Sequence, residues 1–371
     1  MNKKLSWGIG IIVAIVIIWF GFFNKPSEPV STEPIKIGGL FGQTGFAAFA
    51  GEASKNGFIM AIEDSGIDVD YVIEDYNSDL KTTVSAAKKL IDIDKVSVIV
   101  GPEWVEFGEV IVPISEETET LFISPWMNLE LDWAKSPYYF SMTPSNRNMI
   151  REEIKYMEDK DMNNIIIIYH NNSFALASIN LLKDELLKNN NIKIVEEVKV
   201  GQDQTDFRTE LTKIKENNQY DVIYTVFATD DGQGVFNKQL KELGIDSPVF
   251  LSLARAESNI LLESFGEYTN GMIYSSFIKN KKGEDFSKKY EERFGVEPLA
   301  LSAAGAYDAT TLILEAMKKG ARTSEEVKEY LLKIKNYKGY SNIINFNESG
   351  QVVGGSPVIK RVNGNNPVIL R

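Results

Sequence analysis

Few residues in this chain have side chains suited to bond-making chemistry. It has one histidine, His170, and no cysteine. A serine–histidine catalytic pair would have to use His170, which follows the apolar run NIIIIY at 164–169. No G-x-S-x-G elbow is present to place a serine beside it. His170 therefore reads as a loop residue near a cleft, without a nucleophile to serve. One histidine and no cysteine exclude the usual zinc ligand sets, and they remove thiolate chemistry and disulfides as well. The carboxylate pairs Glu116–Glu117, Glu152–Glu153 and Asp230–Asp231 read as solvated surface, and no EF-hand loop appears. Gly232 and Gly234 lack the third glycine of a dinucleotide fingerprint. The expectation is a binding protein, not an enzyme, with no catalytic residue, no metal and no cofactor.

Residues suited to holding a small molecule gather in six short segments. In open parallel sheets, ligands bind beyond the carboxyl ends of the strands. The segments following the apolar runs are FGQTGF (41–46), GPEWVE (101–106) and SPWMN (124–128), then HNNSF (170–174), FATDD (227–231) and LARAE (253–257). They supply Thr44, Trp104, Trp126, Asn128, Phe174, Phe227 and Arg255 as candidate ligand-binding residues. Apolar walls with a few placed polar groups are what small-molecule pockets require. Each aromatic residue could equally cover the end of a sheet as core, and Arg255 could equally be a surface ion-pair partner.

The elements that must carry these segments alternate. From residue 35, short apolar runs at 35–41, 69–74, 96–100 and 120–124 are separated by amphipathic stretches at 52–64, 80–93 and 106–117. The rhythm restarts with a helix at 147–160 and strands at 164–169, 193–200 and 222–227. A return strand is expected at 272–277, with helices at 286–294, 301–319 and 324–334 and strand-like pieces in the tail. This is the pattern of parallel sheets covered by helices, and 371 residues suit two globular units. The formal net charge of −12 argues against a nucleic-acid partner.

The order of motifs resembles the leucine/isoleucine/valine-binding family of periplasmic binding proteins, the type I substrate-binding components of ABC transporters. IKIGGLFGQTGFAAFAGEASKNGFIMAIED (35–64) is similar to that family's first strand, loop and helix. VSVIVGPEW and LFISPWMN resemble its third and fourth strands, and FSMTPSN its first hinge crossing. AYDA (306–309) and FNESGQ (346–351) resemble its late helix and terminal turn. The resemblance implies two interleaved, doubly wound α/β lobes joined by a three-crossover hinge. Lobe one would span 35–143 and 276–340, and lobe two 144–275 and 341–371. It implies a small organic ligand held between the lobes and delivered to an ABC permease. The alternative is a ligand-sensing receptor domain that signals to a membrane partner.

Amino-acid binders of the family place a serine where this chain has Val105, a hydroxyl where it has Asn128, and a tyrosine where it has Phe174. Their ammonium-pairing acid falls near Ala254, beside Arg255. The features for a zwitterion are thus largely replaced, and the expected ligand is an amino acid-like or an aromatic, carboxylate-bearing compound.

Residues 5–23 carry no charge and would span roughly 28 Å as a helix, close to a bilayer core. Lys3 and Lys4 precede them, which places the following chain outside the cytoplasm. The exit lacks an A-x-A-like cleavage pattern, so a retained anchor is favoured over a cleaved signal. The Pro-, Ser- and Glu-rich residues 24–34 read as a tether. The expected location is the cell membrane, single-pass, with the soluble region on the extracytoplasmic side.

Overall fold

Apolar residues on both faces of a strand require cover on both sides, and runs such as VSVIV and NIIIIY receive it. The computed structural model describes residues 35–127, 136–144, 146–188, 191–217, 219–252, 259–277, 281–355, 357–364 and 367–371. The apolar run 5–23 and the tether 24–34 lie outside the described residues. Among the described residues, no helix is long and apolar enough to cross a membrane.

The first lobe is built on β1 (Ile37–Phe41), β2 (Tyr71–Asp75), β3 (Val98–Val100), β4 (Leu121–Ser124) and β5 (Tyr139–Pro144). With β13 (Gln351–Val352) they form a six-stranded parallel sheet in the order β13-β5-β4-β3-β1-β2. Alternate residues enter opposite cores, as strand geometry dictates. Val98 and Val100 face the core under α1 (Ala48–Ser65), α10 (Ala300–Lys318) and α11 (Ser324–Leu332). Ile99 faces the core under α2 (Leu80–Lys88) and α3 (Val105–Thr118). Helices α1 and α10 cross closely at Gly57, where a Cβ would lie 2.1 Å from the Ala303 carbonyl oxygen. That approach leaves no room for a side chain. Helix α9 (Lys281–Phe294) packs Phe286 and Tyr290 against the same pair.

The second lobe repeats the plan. Strands β6 (Asn164–His170), β7 (Lys193–Val200), β8 (Val222–Val226), β9 (Val249–Leu251) and β10 (Ile273–Phe277) are parallel. The antiparallel β14 (Pro357–Arg361) and β15 (Val368–Ile369) complete a seven-stranded sheet in the order β15-β14-β10-β9-β8-β6-β7. Ile165 and Ile167 face α4 (Asn146–Asp159) and α5 (Ser173–Leu186). Ile166 and Ile168 face α6 (Arg208–Glu216) and α7 (Asp230–Glu242). Helix α8 (Asn259–Thr269) precedes β10.

The chain changes sheets after Pro144, after Phe277 and after Val352. The last change differs from the expected boundary at 340–341. The short hairpin β11 (Tyr337–Lys338) and β12 (Ile343–Ile344) is followed by β13 in the first sheet, and Ile344, Phe346 and Val352 belong to the first lobe's core. Asp308 of the AYDA segment holds this region. It accepts bonds from the Tyr340 amide at 2.9 Å and the Ser341 amide at 2.7 Å. Burial pushes its carboxyl up to about 6, against those bonds.

The pair Glu152–Glu153 is corrected by the structure. Glu153 is buried between α4 and the second sheet. It lies in the helix's apolar stripe with Ile150, Ile154 and Met157, the i, i+3, i+4, i+7 spacing of a core-facing side. Its carboxylate accepts from the Tyr224 hydroxyl at 2.5 Å and from Ser275.

Candidate functional site

Both sheets contain the strand sequence 2-1-3-4-5, so each has a point where the order reverses. In the first lobe it lies between β1 and β3, and in the second between β6 and β8. Loops leaving adjacent strands in opposite directions open a crevice at such a point. These two crevices frame the candidate site, and α3 of the first lobe touches α5 of the second beside them.

In the first lobe, the loop after β1 is drawn onto the end of β2. The Thr44 hydroxyl lies 2.7 Å from Asp75 Oδ2 and 2.6 Å from Asn77 Oδ1. Asp75 Oδ1 accepts from the Gln43 amide at 2.9 Å. Partial burial opposes ionisation of Asp75, but bonds from Thr44, Asn77 and Gln43 hold its carboxyl below the usual range. The side chain of Thr44 therefore orders its own loop. Gly51 lets the first turn of α1 sit on this loop, since a Cβ there would be 2.0 Å from the Gly42 carbonyl oxygen.

The ordered loop leaves rings at the crevice. Phe46 is 58% exposed and Phe49 is 56% exposed. Trp104, the residue preceding α3, meets both edge-on, at centroid distances of 5.7 and 6.0 Å. Trp126, after β4, meets Trp104 at 5.5 Å. Trp104 is half-buried, and its indole N–H makes no hydrogen bond among the described residues. Val105 opens α3 and packs half-buried against the core beneath. Below the rings, Phe107 stacks under Phe46 at 5.9 Å and meets Tyr76 at 4.5 Å. The Tyr76 hydroxyl donates to Glu103 Oε2 at 2.8 Å. Glu103 is 1% exposed, and burial pushes its carboxyl up to about 7, against bonds from Tyr76 and Ser54.

The second lobe fills its crevice. Phe227 is 2% exposed and packs against Phe207 at 5.5 Å and Phe236 at 5.3 Å. The ring of His170 lies across it at 4.5 Å. His170 is the last residue of β6 and is buried, in contrast to the loop position expected for it. Its Nδ1 accepts from the Ala228 amide at 3.1 Å, which ties the end of β6 to the start of α7. Gly232 allows this, because a Cβ there would fall 2.7 Å from His170 Cε1. Phe174 is half-buried in the first turn of α5, whose N-cap Asn172 accepts from the Ala175 amide at 2.9 Å.

Of the expected site residues, the structure brings Trp104, Val105 and Trp126 together, while Thr44 is exposed and bonded to Asp75 and Asn77. Phe174 and Phe227 stand on the other lobe, Phe227 within its core. Asn128 and Arg255 lie outside the described residues. Sequence reasoning passed over Phe46 and Phe49, whose i, i+3 spacing at the start of a helix places both rings on one side. It also passed over Glu103, an acid set between a buried strand and a tryptophan. Among the described residues, no cluster of histidine, cysteine or carboxylate side chains could hold a metal ion.

The sequence pattern of the periplasmic binding protein family matches residues 34–365. Solved structures share the architecture. A leucine binding protein from Thermotoga maritima is 22% identical with a TM-score of 0.76, over 91% of this chain and 98% of that one. An ABC transporter substrate-binding protein from Sphaerobacter thermophilus is 19% identical with a TM-score of 0.80, over 91% and 96%. A solute binding protein of an ABC transporter from Rhodopseudomonas palustris BisB5, in complex with 3,4-dihydroxy benzoic acid, is 21% identical with a TM-score of 0.74, over 89% and 94%. At these identities the likeness to the solved structures is one of fold. With two α/β lobes linked by three crossings and a family match spanning nearly all of them, the chain belongs to the periplasmic binding protein family.

Proposed function

We propose that this chain is an extracytoplasmic solute-binding protein that captures an aromatic, carboxylate-bearing molecule between its lobes and delivers it to an ABC permease. The observation that carries this reading is the aromatic edge of the first lobe. Phe46 and Phe49 are more than half exposed at the crevice, beside Trp104 and Trp126. Rings grouped at a cleft present a flat apolar wall, and such exposed patches mark interaction sites. A zwitterionic amino acid would need hydroxyls and an acid in the cleft. Val105 and Phe174 offer neither, and Glu103, beside Trp104, is buried. Arg255 is the proposed partner of the ligand carboxylate, and Asn128 an additional hydrogen-bonding group. Residues 5–23 are proposed to tether the protein to the membrane.

Calorimetric titration of the full chain with benzoate, 3,4-dihydroxybenzoate, leucine and isoleucine tests the ligand class. The expected result is a benzoate-type acid binding at least about tenfold more tightly than leucine, a difference of about 1.4 kcal/mol. Tighter binding of leucine overturns the reading. Membrane fractionation tests the tether: the full chain should sediment with membranes, and a chain lacking residues 1–34 should not.

A further inference from the structure

Glu103 has no evident task in holding a ligand, yet it occupies a costly position. A buried carboxyl without a cation is disfavoured in its charged form. Among the described residues no lysine or arginine pairs with Glu103. The groups facing it are uncharged or acidic. Tyr76 at the end of β2 donates to it, and burial with the nearby acids holds that phenol well above its ordinary range. Ser54 comes from α1, and Tyr139 from β5. Asp75 and Glu106 add negative charge beside Tyr76, from β2 and α3.

The same residue is mechanically tied to the aromatic edge. Trp104 is its neighbour in the chain. Tyr76 bears on Phe107, which in turn lies beneath Phe46. The loop before Glu103 is fixed by the Ser124 hydroxyl, which donates to the Pro102 carbonyl at 2.6 Å. Gly42 lies against the Tyr76 ring so closely that a Cβ would be 2.8 Å from it. Among the described residues, a charge appearing on Glu103 meets no counter-ion, only the Tyr76 and Ser54 hydroxyls and the backbone amides of Glu103 and Gly42, within packed walls. Relief requires the Glu103–Trp104 segment to move toward water.

We propose that Glu103 is a proton-controlled support of the ligand wall: in its neutral form it holds Trp104 within the aromatic edge, and on ionising it displaces Trp104 and weakens ligand binding. The proposal rests on the aromatic edge being the ligand wall. If only the neutral form binds and its midpoint is near 7, the benzoate dissociation constant rises about tenfold from pH 6 to pH 8. Benzoic acids are already ionised across that range, so the ligand contributes no proton of its own.

Two measurements on the full chain test this. The first is tryptophan emission against pH without ligand. The expected result is a single transition near pH 7 that disappears in Glu103→Gln, persists in Glu153→Gln, and moves to higher pH in Tyr76→Phe, which loses the donor that favours the anion. His170 remains in all three variants, so a transition due to it would survive in Glu103→Gln. The second is the benzoate dissociation constant at pH 6 and pH 8, expected to be flat in Glu103→Gln. A flat emission profile in the unmodified chain, or one unchanged in both Glu103→Gln and Tyr76→Phe, overturns the proposal. If benzoate fails to bind but the emission transition behaves as expected, the ligand assignment falls and the proton-controlled movement of Trp104 stands.

Discussion

The two lobes have the same strand order and the same crevice, and they fill it in opposite ways. At the first lobe's reversal point, Phe46 and Phe49 stand more than half exposed with Trp104 between them and Trp126. At the second lobe's, Phe227 is sealed among Phe207, Phe236 and His170. The difference teaches that the fold supplies the crevice and the loop side chains decide its use. One lobe leaves rings exposed at its crevice. The other uses its rings to fasten strand ends.

The contrast is sharpest in substitutions that separate stability from binding. Phe227→Ala should have the largest effect, a loss of about 3–5 kcal/mol in unfolding free energy, measured by urea denaturation. Its benzoate affinity, measured where the variant is folded, should change by less than about threefold. Trp104→Ala should reverse the pattern. Removing a central ring should weaken benzoate binding about thirtyfold, near 2 kcal/mol, with a smaller loss of stability. A Phe227→Ala variant that folds stably but no longer binds would break the comparison.

A further effect should appear in the pH dependence of stability. Each lobe buries a glutamate against a tyrosine: Glu103 with Tyr76, and Glu153 with Tyr224. Burial raises both carboxyls to about 7 in the folded chain. Unfolded glutamate titrates near 4.3, so the folded form prefers the proton. Stability is then full below the unfolded value, falls as pH rises from about 4.5 to about 7, and levels off above. Each glutamate should contribute on the order of 3 kcal/mol to that fall. Glu153→Gln should remove only its own share, as read from denaturation midpoints between pH 4.5 and 8. It should leave the pH dependence of ligand binding unchanged, because Glu153 lies between α4 and the second sheet.

Much of the scaffold could be read from the sequence because its strands are buried on both faces. NIIIIY and VSVIV announce themselves, and the reset of the β-α rhythm marks the second lobe. The position of the third crossing, expected at 340–341, was not legible. β13 is two residues long and follows a tight turn, with the Gly350 amide bonded to the Asn347 carbonyl at 3.0 Å. Its pairing with β5 and a bridge from Val352 to Phe346 identify it as a strand. Glu153 was hidden by Glu152 beside it, although its spacing from Ile150 and Met157 pointed inward. At the site, the placing of Trp104 and Trp126 beyond the ends of β3 and β4 was legible from the loops that carry them. Phe46 and Phe49 were not, because exposure of an aromatic ring depends on how the preceding loop is pinned. That pinning runs through Asp75 and Ser78, more than thirty residues further along the chain, with Ser78 accepting from the Ala47 amide at 3.0 Å.

The central claim is that the exposed rings of the first lobe, and not the sealed rings of the second, hold the ligand. The most direct test compares Phe46→Ala/Phe49→Ala with Phe227→Leu, measuring in each the unfolding free energy and the dissociation constant for the tightest benzoate-type acid. The double variant should keep its stability within about 1 kcal/mol, since both rings are largely exposed, and lose affinity about tenfold. Phe227→Leu should lose stability and keep its affinity. Unchanged affinity in the double variant, or affinity lost only in Phe227→Leu, would contradict the account.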